Sequence, residues 1–98
     1  MLEEEIIFPP EIKKALEALG NENRQKIISN LVKKEKLAFS DLLKITKLNS
    51  STLNFHLREL MKGSLITNFY KKSETQKNYS YYELTSFGRD FLKSLGVY

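Results

Sequence analysis

Between Asn49 and Lys62 the chain carries two unlike patterns on one helical period. Leu53, Leu57, Leu60 and Met61 recur at i, i+4, i+7 and i+8, the spacing of a helix side docked on a core. Ser51, Phe55, Arg58 and Lys62 occupy the opposite side, bringing a hydroxyl, an aromatic ring and two cations. Asn49 stands where an N-cap would stand, its side chain suited to the free N–H groups of the next turn. Upstream, Leu42, Leu43 and Ile45 give a shorter helix that Ser40 is expected to cap, and Leu48 plugs the angle between the two. The chain must bend sharply near Lys47. A left-handed residue there favours Gly, so a lysine accepts strain of about 1 kcal/mol. Residues 40–62 therefore read as a helix-turn-helix whose second helix covers 50–62.

The same reading places the other elements around this pair. Pro9 and Pro10 introduce a helix to Leu19, proline being tolerated in a first turn, with Ile12, Leu16 and Leu19 as its buried edge. Asn21 caps a second helix, Glu22 to Lys34, whose Ile27, Ile28, Leu31 and Val32 face inward. Leu37, Ala38 and Phe39 suggest a very short strand. After Gly63 the composition turns to Ile, Thr, Phe and Tyr over 65–72 and 79–84, around the polar stretch SETQKN, which reads as a β-hairpin. In its second strand Tyr82 and Leu84 share one face, and Tyr79, Tyr81 and Glu83 the other. Thr85 caps a last helix to about Leu95. Its apolar residues Phe87, Phe91, Leu92 and Leu95 exceed what one small core uses, which calls for a second packing partner. The fold class is α+β, mainly α, in one domain over 1–98. Residues 1–9 form an N-terminal extension, 65–84 the hairpin and 85–95 the C-terminal helix.

Composition narrows the chemistry. The chain has no Cys and a single His, which removes disulfides, thiol nucleophiles, thiolate metal sites and an imidazole cluster. No Gly-rich phosphate loop, HExxH, nucleophile elbow or paired-carboxylate spacing occurs, so an enzyme is not expected, and neither a cofactor nor a metal is implied. No apolar run is long enough to span a membrane, and the acidic start is unlike a signal peptide, so the expected location is cytoplasmic. The net charge of +4 is unevenly placed. In residues 44–82, seven cations (Lys44, Lys47, Arg58, Lys62, Lys71, Lys72, Lys77) face only Glu59 and Glu74, an excess of +5. A basic excess confined to the helix-turn-helix and hairpin suits a polyanion surface; a solvated lysine face is the other reading.

Four stretches together resemble a known family. LGNENRQKII (19–28), LNSSTLNFHLREL (48–60), GSLI (63–66) and YYELTSFG (81–88) are similar, in order, to the motifs of ArsR-like winged helix-turn-helix regulators. The resemblance implies a dimeric DNA-binding transcriptional regulator, its recognition helix 50–62 in the major groove of double-stranded DNA and its wing, 66–84, along the backbone. It implies a homodimer interface on the first and last helices, here Ile12, Phe87, Phe91, Leu92 and Leu95, to which Ile6, Ile7 and Phe8 could add. The chain departs from the family at Lys47, commonly Gly, and at Phe55, often a polar base reader. Metal-sensing members carry Cys or Asp/His sets that this chain lacks, and the sequence names no small-molecule effector.

Sorted by chemistry, Ser50, Ser51 and Thr52 suit a phosphate at a helix N-terminus, with local capping as the alternative. Asn54 could pair with adenine and Arg58 with guanine or a phosphate, while Phe55 offers only apolar contact, as to a thymine methyl. His56 flanks the apolar stripe, where a structural role competes with a phosphate contact, and Lys62 also complements the helix C-terminus. In the wing Lys71, Lys72 and Lys77 face phosphates or the minor groove and Tyr79 adds a hydroxyl. Two other functions fit the same residues: a low-specificity, chromatin-like DNA-binding protein, and a winged-helix protein-interaction module with Phe55 as anchor.

Overall fold

The computed structural model describes residues 5–72 and 78–98. Its elements are α1 (Pro10–Leu19), α2 (Glu22–Lys33), β1 (Leu37–Ala38), α3 (Phe39–Thr46), α4 (Ser50–Lys62), β2 (Ile66–Lys72), β3 (Asn78–Leu84) and α5 (Ser86–Ser94). The three strands form one antiparallel sheet in the order β1-β3-β2. This is a winged helix: a helical body, α3 and α4 as the helix-turn-helix, and the β2–β3 hairpin beside them.

Side-chain caps fix most of the helix starts. Asn21 Oδ1 accepts from the N–H groups of Asn23 (2.8 Å) and Arg24 (3.2 Å), Asn49 Oδ1 from Thr52 (2.9 Å), and Thr85 Oγ1 from Gly88 (2.8 Å). α3 starts differently from expectation. It begins at Phe39, so Ser40 lies inside its first turn, and the Asp41 carboxylate reaches back to accept from the Ala38 N–H at 3.0 Å. Phe39 is therefore helical, and β1 shrinks to two residues. In the helix-turn-helix corner Lys47 is left-handed (φ 59°), as the sharp bend requires. Thr46 holds that corner by donating to the Leu42 carbonyl (2.7 Å) and accepting from the Leu48 N–H (3.3 Å).

The core gathers Ile27, Leu42, Leu53, Leu57, Leu60, Leu65 and Leu92, each almost fully enclosed. Burying such a side chain contributes roughly 1.5–3 kcal/mol. Ile66, Tyr82 and Leu84 join them from one face of the sheet, the side the alternation of β3 assigns to Tyr82 and Leu84. α1 contributes Ala15 and Ala18, whereas Leu16, expected inside, is 39 % exposed. The cause is how closely α1 meets the end of α4. A Cβ on Gly63 would stand 2.9 Å from Ala18 Cβ, leaving room only for small residues there. At the far end, Gly88 lets α5 lie against Leu65, whose carbonyl oxygen an added Cβ would overlap. Phe91 and Leu92, expected at a dimer interface, are 9 % and 1 % exposed and belong to the protomer's own core. Their spacing leaves Phe87 half-buried and Leu95 exposed on the flanks of α5.

Candidate nucleic-acid interface

With Leu53, Leu57 and Leu60 buried, α4 is fixed against rotation and turns a defined strip outward. Ser50, Ser51, Asn54, Phe55, Arg58 and Lys62 are all exposed, and Thr52 is half-buried. At the N-terminus Ser51 Oγ donates to Asn49 Oδ1 at 3.3 Å, tying its hydroxyl to the cap. Ser50 carries no such local hydrogen bond among the described residues. Lys62, at the other end, pairs with Glu59 at 3.0 Å and borders α1 in a groove shared with Lys14, Glu17 and Ala18. The same ammonium, by its hydrogen bond, holds the Glu59 carboxyl below its ordinary range. Lys62 therefore sits at the helix end with part of its charge answered by Glu59, while Arg58 makes no ion pair among the described residues.

Phe55 is not a free-standing ring. It is 47 % exposed, its face lies 5.9 Å from the Arg24 guanidinium, and its edge meets the His56 ring at 5.5 Å between centroids. His56 is 6 % exposed, and its Nδ1 accepts from Arg24 Nε at 3.2 Å. A DNA contact by His56 does not fit this burial. The ring is inside, and its Nδ1 is held by Arg24. Accepting at Nδ1 requires the neutral tautomer with the proton on Nε2. Burial first, and the Arg24 charge second, hold the imidazole below its ordinary value of 6.5, with Glu59 opposing them. Arg24 itself emerges from the start of α2, where the Asn21 cap fixes its backbone. It was legible only as a residue of the LGNENR stretch, and no local pattern reveals a contact spanning thirty-two positions.

The wing has two faces. One, with Ile66, Tyr82 and Leu84, closes the core; along it Asn68 Nδ2 donates to Ser80 Oγ (2.7 Å) and to the Tyr81 carbonyl (2.9 Å). The outer face pairs Phe69 with Tyr81 and Lys71 with Tyr79 across the strands. Lys71 and Lys72 are exposed at the end of β2, and Tyr79 is 39 % exposed. Lys77 lies outside the described residues, as does most of the SETQKN stretch. Lys36, read in the sequence only as part of a charged loop, joins the outer face: its Nζ is 5.4 Å from the Tyr81 ring centroid. Alternation counted back from β1 puts Lys36 on the side of Ala38, which pairs with Tyr81, and that was the available signal. Lys36 stands within hydrogen-bonding reach of Lys71 and, by that contact and its charge, lowers the Lys71 ammonium below its ordinary range.

Ile6, Ile7 and Phe8 are exposed, at 85 %, 83 % and 45 %, and Ile12 is half-buried. An apolar groove of about 330 Å³ runs between the α1–α2 corner and α5, lined by Leu19, Gln25, Ile28, Leu92, Leu95 and Val97. Among the described residues no group of three or more His, Cys, Asp or Glu could hold a metal ion, and no helix is long and apolar enough to cross a membrane.

Comparison with known proteins agrees with this architecture. Residues 12–95 match the family model described as a domain of unknown function, DUF7347. The arsenical resistance operon repressor of Bacillus subtilis (strain 168) is 34 % identical over 67 residues, which span 68 % of this chain and 59 % of that repressor. The structure of a transcriptional regulator homologue from Pyrococcus horikoshii OT3 superposes with a TM-score of 0.68 at 28 % identity, covering 90 % of this chain and 92 % of the other. The homodimeric winged helix-turn-helix DNA-binding domain of Mb0332 from Mycobacterium bovis shares the fold at a TM-score of 0.70. It is 20 % identical, with 89 % of this chain and 76 % of that one covered. The resemblance to ArsR-like regulators read from the four motifs is thus matched by a curated relative and by the fold, and these relatives are transcriptional regulators rather than enzymes.

Proposed function

We propose, for a chain that belongs to the DUF7347 family and is built as a winged helix, the function of a dimeric DNA-binding transcriptional regulator. The observation that carries it is the outward strip of α4. A helix whose back is buried by Leu53, Leu57 and Leu60 presents Ser50, Ser51, Asn54, Phe55 and Arg58, with lysines of the wing beside it. An α-helix enters the major groove, and phosphate contacts position it while side chains at base edges read sequence. Ser50, Ser51 and Thr52, at the positive end of α4, take a phosphate. Asn54 and Arg58 read base edges, Phe55 meets a thymine methyl, and Lys71, Lys72, Lys77 and Tyr79 follow the backbone. His56 acts behind this surface, through Arg24, on where the Phe55 ring lies.

The homodimer reading rests on apolar residues that the protomer leaves exposed, Ile6, Ile7, Phe8, Leu16 and Leu95, or half-buried, Ile12 and Phe87, and on the homodimeric Mycobacterium bovis relative. Two copies joined there would present two recognition helices to half-sites one helical turn apart. Arg58→Ala is expected to relax base preference at one position per half-site and to weaken binding by about 1–3 kcal/mol. Anisotropy titrations against a panel of single-base operator variants check this. Uniform loss across the panel would make Arg58 a phosphate contact instead.

A further inference from the structure

The outer face of the wing holds more aromatic surface than a hairpin needs. Phe69 and Tyr81 stack across the strands at 5.7 Å, a pairing that serves the hairpin itself. Tyr79 is different. It lies one alternate position nearer the tip, 39 % exposed, tilted 58° to Tyr81 with centroids 6.4 Å apart, and so shows its ring to solvent. Beside these rings stand Lys36, over Tyr81, and Lys71, opposite Tyr79. Two cations thus stand beside the rings on this face. Among the described residues of β2 and β3, the acidic one on this face, Glu83, pairs with Thr67 at the end of the sheet nearest the body, two alternate positions from Tyr79. The described part of the face beyond Glu83 is therefore aromatic and cationic.

We infer that this face is a binding platform for single-stranded DNA, with an unpaired base stacked on Tyr79 and the adjoining phosphates held by Lys36 and Lys71. Rings displayed on a sheet with cations between them are the elements of sequence-tolerant single-strand binding. A duplex can reach the lysines and the Tyr79 hydroxyl with its phosphates but cannot stack a base on the ring, because paired bases show edges in the grooves and keep their faces to their neighbours. The choice of DNA over RNA rests on the duplex reading proposed above; the platform itself does not.

The test is anisotropy of a short labelled oligodeoxyuridylate with the intact protein at low salt, beside an oligouridylate that differs only in its 2′-hydroxyls. The oligodeoxyuridylate should bind. Tyr79→Ala and Lys36→Gln should each weaken binding at least fivefold, the change that corresponds to removing about 1 kcal/mol of stacking or phosphate attraction. Tyr79→Phe, which keeps the ring, should leave it unchanged. No binding at low salt, or binding indifferent to Tyr79→Ala and Lys36→Gln, overturns the platform. Tighter binding of oligouridylate overturns its assignment to DNA. Loss of duplex discrimination is read separately with Arg58→Ala, so failure of the regulator reading and failure of this one give different patterns.

Discussion

His56 shows how one side chain can support a surface without joining it. Its Nδ1 must stay unprotonated to accept from Arg24, and Arg24 in turn lies over the face of Phe55. Protonation would set two cations together beneath the recognition strip. Because the folded state holds this imidazole below 6.5, the unfolded chain binds the proton first as pH falls. Stability is then complete above about 6.5 and declines as pH drops through that value toward the lower folded one. Thermal melts from about pH 7.5 to 5.5 should show a falling Tm that His56→Gln flattens; an unchanged slope in the variant would exclude His56 as the cause. The loss from Glu59, whose carboxyl is also held low, falls in a separate window below 4.5. In the sequence His56 sat between the two stripes of its helix, a position that left both roles open. Arg24, thirty-two residues away, decided between them.

At the scale of elements most of the fold was legible, because hydrophobic period and caps agree. Asn21, Asn49 and Thr85 cap the helices their positions predict, and the left-handed corner falls at Lys47. The start of α3 was not legible from its first polar residue. Ser40 is a good cap by type, but Asp41 reaches the Ala38 N–H and begins the helix two residues earlier. Leu16 was misplaced because helical period alone does not register how near a neighbouring helix comes, and at Gly63 that approach selects Ala15 and Ala18. The wing carries its own prediction. Replacing Lys71 and Lys72 with Gln should weaken every duplex sequence alike and reduce the slope of log affinity against log salt by about 2, near one for each phosphate no longer neutralised. A changed sequence preference with an unchanged slope would move these lysines off the backbone.

For the whole molecule, the sequence showed a surplus of apolar residues on α5 but not which of them the protomer keeps. The structure divides them: Phe91 and Leu92 are inside, and Leu95 is 49 % exposed, lining the groove with Leu19, Ile28 and Val97. The division separates stability from assembly. Leu92→Ala should cost the protomer about 2–5 kcal/mol in denaturant unfolding, the range for emptying a packed leucine site. Leu95→Glu should leave protomer unfolding nearly unchanged and shift sedimentation from dimer to monomer. If Leu95→Glu remains a dimer, the interface lies elsewhere. Half-site geometry depends on the same assembly, since a monomer has one α4 to offer and a two-fold dimer has two.

The central claim is that α4 of this winged helix reads duplex DNA in pairs. Selection of a random duplex pool by the purified full chain, followed by sequencing of the bound fraction, tests it most directly. Enrichment of an inverted repeat, its half-sites centred about 10 base pairs apart and its preference relaxed by Arg58→Ala, is the predicted result. Retention of no duplex at low salt, or of all sequences equally, would contradict it.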